Sequence, residues 1–148
     1  DTVSTALLMS QSSKCDNVGV GIDVGHIFQA GQNVAQTVEL SAKFGKLFNM
    51  HINDNYGQWD DDLVVGSVRT VEYIELFFSL RKVGYNGFIA VDIFPFRENT
   101  LRAAEESLLN MKKLNELVDV IGYDKLADCL KQDDITATIK LLRESIYK

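Results

Sequence analysis

Proline occurs once in this sequence, cysteine twice and histidine twice, and no apolar run approaches the length of a membrane span. Each scarcity excludes something. A single proline (Pro95) and no low-complexity tract argue against extended linkers and long disorder. Cys15 and Cys129 stand far apart, so neither a Cys-x-x-Cys metal pair nor a dense disulfide framework is available. Two isolated thiols suit a reducing compartment, and the expected localisation is cytoplasmic. Without about 20 consecutive apolar residues, no membrane partner is expected. The opening residues DTVSTALLMSQSSK lack the basic start and cleavage pattern of a secretory signal. They also lack an initiator methionine, so a chain beginning mid-protein is expected. Basic residues are outnumbered 15 to 21, for a net charge of −6, which argues against a nucleic-acid surface.

What is present is an ordinary globular balance, 46% hydrophobic and 24% charged, over 148 residues. That length suits one domain. The pattern alternates. Residues 2–12 read as the end of a helix, VGVGIDVG as a strand, and NVAQTVELSAKF as a helix stopped by Gly45. LFNMHIND is a second strand, followed by the polar loop NYGQWDDDLVVGS. Thr70 is the expected cap of the helix TVEYIELFFSLRKV, which stops at Gly84. GFIAVDIF is a third strand. Asn99 or Thr100 opens a helix with Leu101, Ala104, Leu108, Met111 and Leu114 at helical spacing. From about Tyr123 two more helices are expected, the last carrying the stripe Ile135, Ile139, Leu142 and Ile146. Strand–helix alternation of this kind predicts a parallel α/β fold.

The strand faces carry the functional signal. Val18, Val20, Ile22 and Val24 should share one face, with Gly19, Gly21 and Asp23 on the other. Phe48, Met50 and Ile52 should alternate with Asn49, His51 and Asn53. Ile89, Val91 and Ile93 should alternate with Phe88, Ala90 and Asp92. Each strand thus has an aliphatic face for covering helices. Each opposite face ends in a titratable residue, Asp23, His51 or Asp92, near the end where parallel α/β folds place their chemistry. Taken singly, Asp23 could equally be a turn or cap residue, a histidine a packing residue, and Asp60, Asp61 and Asp62 a solvated acidic loop. Convergence of the three strands favours a site, and clustered carboxylates call for a cation. Carboxylates with one imidazole suit Mn²⁺, Mg²⁺, Co²⁺ or Zn²⁺. No complete phosphate-cradling glycine loop is present.

Three motifs carry a family resemblance. D-V-G-H followed by A-G (Asp23–His26, Ala30–Gly31), H-I-N-D-N with W-D-D-D-L-V-V-G (His51–Gly66), and V-D-I-F-P-F-R with Asp92 and Arg97 occur in order. In order and spacing the chain resembles the C-terminal part of a sugar isomerase of the xylose isomerase-like TIM-barrel superfamily. It is nearer in pattern to the L-rhamnose isomerase-like branch than to the xylose isomerases proper. The latter carry an acid where this chain has Asn53. The resemblance implies α/β architecture from the C-terminal part of a (β/α)8 barrel. Residues 1–118 would supply about three parallel strands and their helices, and 119–148 a helical extension. A barrel takes roughly 200 to 250 residues, so the rest, including a glutamate ligand, would be supplied elsewhere.

The resemblance further implies two divalent metals per active site, Mn²⁺ being favoured. Asp23, His51 and Asp92 would hold the first. His26, Asp60 and Asp62 would hold the second, with Asp23 bridging. The implied activity is aldose–ketose isomerisation of a sugar by a metal-assisted 1,2-hydride shift, with Asp60, Asp62 and His26 as catalytic residues. Trp59 and Phe94 would wall the sugar or simply pack, and Arg97 would bind substrate or pair with an acid. A ketose 3-epimerase of the same superfamily, using one metal, and a non-catalytic sugar-binding domain stay open. A metal-rich apurinic endonuclease is disfavoured by the two histidines and the acidic charge. The C-terminal helices would cap the protomer or join a homo-oligomer, a dimer or tetramer.

Overall fold

A computed structural model describes residues 2–95 and 97–146. Phe96, inside the third motif, lies outside the described residues. Three parallel strands, β1 (Val20–Asp23), β2 (Leu47–Ile52) and β3 (Ile89–Val91), form one sheet in chain order, with β2 central. Around them run α1 (Val3–Ser12), α2 (Val24–Gln29), α3 (Val34–Lys43), α4 (Thr70–Lys82), α5 (Thr100–Ile121), α6 (Tyr123–Gln132) and α7 (Ile135–Ile146). The expected boundary between residues 118 and 119 falls inside α5.

The strands bury one face. Val20, Ile22, Met50 and Ile52 are buried in a core with Val38 of α3, Tyr73, Leu76 and Phe77 of α4, and Leu114 and Val118 of α5. Ile22 pairs with Met50 and Met50 with Ile89, so the aliphatic row crosses all three strands. Fully burying such side chains stabilises by about 1.5–3 kcal/mol each. The helix caps follow sequence logic. Asn33 accepts the Gln36 N–H to start α3, and Asn99 accepts that of Arg102 to start α5. Gly45 and Gly84 follow α3 and α4 with positive φ, the conformation that ends a helix most cheaply in glycine.

Several expectations are corrected. The first strand ends at Asp23, because Val24 to Gln29 turn into the short α2 and Val24 is a helical residue. Val18 lies before the strand and is partly exposed. Phe48 does not share the face of Met50. The register slips between Val20, paired with Leu47, and Gly21, paired with Asn49, leaving Phe48 as the extra residue of a bulge. Its ring lies over Gly19, where an added Cβ would fall 2.2 Å from Phe48 Cγ. Leu47 takes the core-facing position instead. Thr70 is the first residue of α4 and makes no cap; Arg69 precedes it without a side-chain cap bond. On α5 the buried face is Ala103, Ser107, Leu114, Val118 and Ile121, while Leu101 and Leu108 are exposed. The helix is rolled because small Ala103 and Ser107 admit the neighbouring loop: Ser107 Oγ accepts the Val65 N–H, and Asn110 Nδ2 donates to the Val65 carbonyl.

Candidate metal centre

The sheet register builds the site. Asp23 pairs with His51, and His51 with Ala90, so these residues lie in one row across the sheet. The ladder runs one step past β3, where the Asp92 N–H donates to the Ile52 carbonyl at 3.0 Å. Asp92, two residues beyond Ala90, therefore emerges on the same face as His51. His51 Nδ1 lies 2.9 Å from Asp92 Oδ2 and 3.9 Å from Asp23 Oδ2. One donor atom from each residue lies within 4.8 Å of the other two. Neighbouring ligands of an octahedral ion bound at about 2.1 Å are roughly 3 Å apart, and opposite ones roughly 4.2 Å. The two separations from His51 fit a single small divalent cation.

Asp23 does more than face the cluster. Its Oδ1 accepts the His26 N–H at 3.3 Å as N-cap of α2, and also Asn53 Nδ2 at 3.2 Å. The cap and ligand readings of this residue are thus compatible. α2 in turn projects His26, whose ring is 63% exposed and whose Nε2 lies 3.2 Å from Asp60 Oδ2. Asp60 Oδ1 is buried with no hydrogen-bond partner. Asp61 turns away, accepting the Tyr56 N–H at 3.0 Å. Asp62 adopts a left-handed backbone (φ 48°), and its carbonyl accepts the Phe94 N–H, tying the acidic loop to the segment after β3. His26, Asp60 and Asp62 do not form a further three-donor group among the described residues. Trp59, Phe94 and Arg97 are exposed. Phe94 and Arg97, with Asp62, line a cavity of about 710 Å³ beside the loop.

Charge crowding shows in the acids themselves. Partial burial holds the Asp60 carboxyl above its ordinary range, opposed by His26 and reinforced by Asp23, Asp92 and Asp61. Burial does the same to Asp62, reinforced by Asp60, Asp92 and Asp23 and opposed by His26. A carboxyl whose folded pKa is raised holds its proton more tightly in the folded state. The resulting stability is present below the ordinary range and is lost as pH rises through the raised value. In metal-free protein, the double variant Asp60→Asn/Asp62→Asn should therefore have a higher urea midpoint than wild type at pH 7. The two midpoints should converge at about pH 3, below the ordinary aspartate range. Equal midpoints at both pH values would show that neither burial nor crowding raises these acids.

The sequence reading missed the polar segment behind this face. Asn53, Asp54 and Asn55 are all fully buried. Asp54 Oδ2 accepts the N–H groups of Val68 (2.8 Å) and Arg69 (3.1 Å), and Oδ1 that of Asn55 (2.9 Å). Its backbone forms a two-bond bridge with Leu63 that closes the loop carrying the three aspartates. Asn55 donates to the Gly25 carbonyl, and Tyr73 donates its hydroxyl to the Asn53 carbonyl. Arg69 stacks on Phe28 at 4.5 Å and donates to the Asn55 carbonyl. The signal was the run N-D-N directly after an apolar strand. Three polar side chains there need partners if they are buried.

The family model for the xylose isomerase-like TIM barrel matches residues 2–114, and the chain belongs to that family. The three parallel strands and their helices are part of such a barrel. An uncharacterized protein from Methanocaldococcus jannaschii is 31% identical over 104 residues, which cover 70% of this chain and 33% of that protein. The crystal structure of a D-tagatose 3-epimerase-like protein matches with a TM-score of 0.61 at 28% identity, covering 71% of this chain and 37% of that one. The chain thus spans roughly a third of the length of these relatives. Among the described residues, no helix is long and apolar enough to cross a membrane.

Proposed function

We propose that the protein is a divalent-cation-dependent sugar isomerase or epimerase, with Asp23, His51 and Asp92 as cation ligands. The convergence of those three donors within 4.8 Å carries this reading. A cation held there would supply Lewis acidity to oxygens on neighbouring carbons of a sugar. The chain's own residues would do the rest. His26, exposed and paired with Asp60, is proposed to pass a proton between sugar and solvent. Asp62 lies in the same acidic loop as Asp60. Exposed Trp59 and Phe94 offer apolar surface for a sugar ring, and Arg97 a charged contact. Mn²⁺ is proposed as the ion, since carboxylate oxygens, two of the three donors, suit it. The cytoplasm is the proposed location. Residues 119–148 are proposed as a helical extension, and exposed Ile135 and Ile139 support its use in a dimer or tetramer.

Two chemistries suit the site. Epimerisation at carbon 3 of a ketose needs one cation. The single three-donor group among the described residues and the likeness to an epimerase-like protein favour it. Aldose–ketose isomerisation by a 1,2-hydride shift, as in the rhamnose isomerase-like pattern, would use a second cation near His26, Asp60 and Asp62. The crowding of Asp60 and Asp62 by Asp23 and Asp92 favours that alternative. A panel of aldoses and ketoses turned over with Mn²⁺ in D2O separates them. Epimerisation by proton transfer incorporates deuterium at carbon 3. A hydride shift converts aldose to ketose without incorporation. With the complete barrel assembled, no turnover of any sugar by the Mn²⁺-loaded protein would replace the enzyme reading with a sugar-binding domain.

A further inference from the structure

The two carboxylate oxygens of Asp23 have different neighbours. Oδ1 receives two N–H donors, from His26 and Asn53, while Oδ2 faces His51. A carboxylate oxygen accepts about two hydrogen bonds, so Oδ1 is fully engaged by the protein. Asn53 makes this possible from a confined seat. It is fully buried, and its carbonyl is held by Tyr73. A Cβ at Gly25 would fall 1.9 Å from Asn53 Oδ1 and 2.9 Å from Asp60 Oδ1. Only glycine leaves room for the Asn53 amide to lie flat against α2 with Nδ2 aimed at Asp23. Asn53 Oδ1 has no hydrogen-bond partner there. A buried amide oxygen without a partner costs stability, so the orientation rests on what Nδ2 does.

We infer that Asn53, seated on Gly25, is a positioning residue that turns Asp23 so that Oδ2 alone faces the Asp23–His51–Asp92 site, making Asp23 a one-oxygen ligand to a single cation. The inference rests on the metal-centre reading above and deepens it, because Asp23 then does not bridge two ions. Sequence spacing cannot reveal this, since it depends on which oxygen of one carboxylate is already occupied.

The test is Mn²⁺ titration of metal-free protein followed by electron paramagnetic resonance, with circular dichroism to confirm folding. Wild type should bind one Mn²⁺ per chain. Asn53→Ala should weaken binding by about 10- to 100-fold, the usual effect of losing a group that orients a ligand. It should also alter the line shape of the bound ion while the circular dichroism spectrum and urea midpoint stay those of wild type. Gly25→Ala keeps the amide but pushes it off its seat, and should weaken binding comparably. Unchanged affinity and line shape in folded Asn53→Ala, or two ions bound by wild type, would overturn the inference while leaving the cation site standing. No Mn²⁺ bound by wild type would remove the cation site itself. If Asn53→Ala fails to fold, the wild-type stoichiometry and Gly25→Ala decide the matter.

Discussion

Replacing His51 with alanine is expected to weaken Mn²⁺ binding by at least about 100-fold and to reduce sugar turnover to the detection limit, with the fold intact. His51 sits on the central strand and is the donor that both carboxylates share, 2.9 Å from Asp92 and 3.9 Å from Asp23. Loss of a group that merely orients a metal ligand costs about 10- to 100-fold, and a ligand itself should cost no less. Without the imidazole, only two of the three donors remain, and two carboxylates face one another with one ligand fewer to hold an ion between them. The fold should survive because the His51 side chain is 45% exposed and the core lies on the opposite face of β2. Calorimetric Mn²⁺ titration with a turnover assay checks this. Near-wild-type affinity in the variant would show that the three residues do not share an ion.

Much of this arrangement was legible because strand periodicity is a strong constraint. Once β1, β2 and β3 are taken as parallel neighbours, the period of two puts Asp23, His51 and Asp92 on one face, and the observed register does so. Other features depend on partners that a linear pattern does not contain. The Phe48 bulge reflects how β2 must slip against β1, and Gly19 leaves space for the ring only after pairing. α2 is six residues long and starts at a valine, so its periodicity is too short to read; its cap, Asp23, is equally plausible as a strand residue. The roll of α5 follows from Ser107 and Asn110 bonding to the Val65 backbone, a tertiary choice that overrides the more apolar stripe through Leu101 and Leu108. The second acidic group shows the same limit. The family resemblance groups His26 with Asp60 and Asp62, and His26 and Asp60 are in contact, but loop geometry sends Asp61 to the Tyr56 amide and gives Asp62 a left-handed backbone.

Asp54→Ala is expected to destabilise the protein by about 3–5 kcal/mol, although Asp54 touches neither cation nor sugar in this reading. Burial raises the Asp54 carboxyl above its ordinary range, and the N–H groups of Val68, Arg69 and Asn55, with the Arg69 charge, oppose that rise. Truncation relieves the desolvation of one carboxylate but strands three backbone donors, that of Asn55 buried and those of Val68 and Arg69 partly buried, each costing about 1–3 kcal/mol. The second effect is larger. Asp54→Asn keeps an acceptor oxygen for some of these donors and should lose roughly half as much. Folded domains typically hold only about 5–15 kcal/mol in total, so the alanine variant should show a clearly lowered urea midpoint. The damage should also reach the site. The Asp54 carboxylate ties Val68 and Arg69, which follow the loop bearing Asp60 and Asp62, back to the end of β2, so the His26–Asp60 contact should loosen even under conditions where the protein remains folded. A loss below about 1 kcal/mol for Asp54→Ala would mean that water reaches those amides, and that the acidic loop is held by Ser107, Asn110 and the Phe94 amide rather than by the carboxylate beneath it.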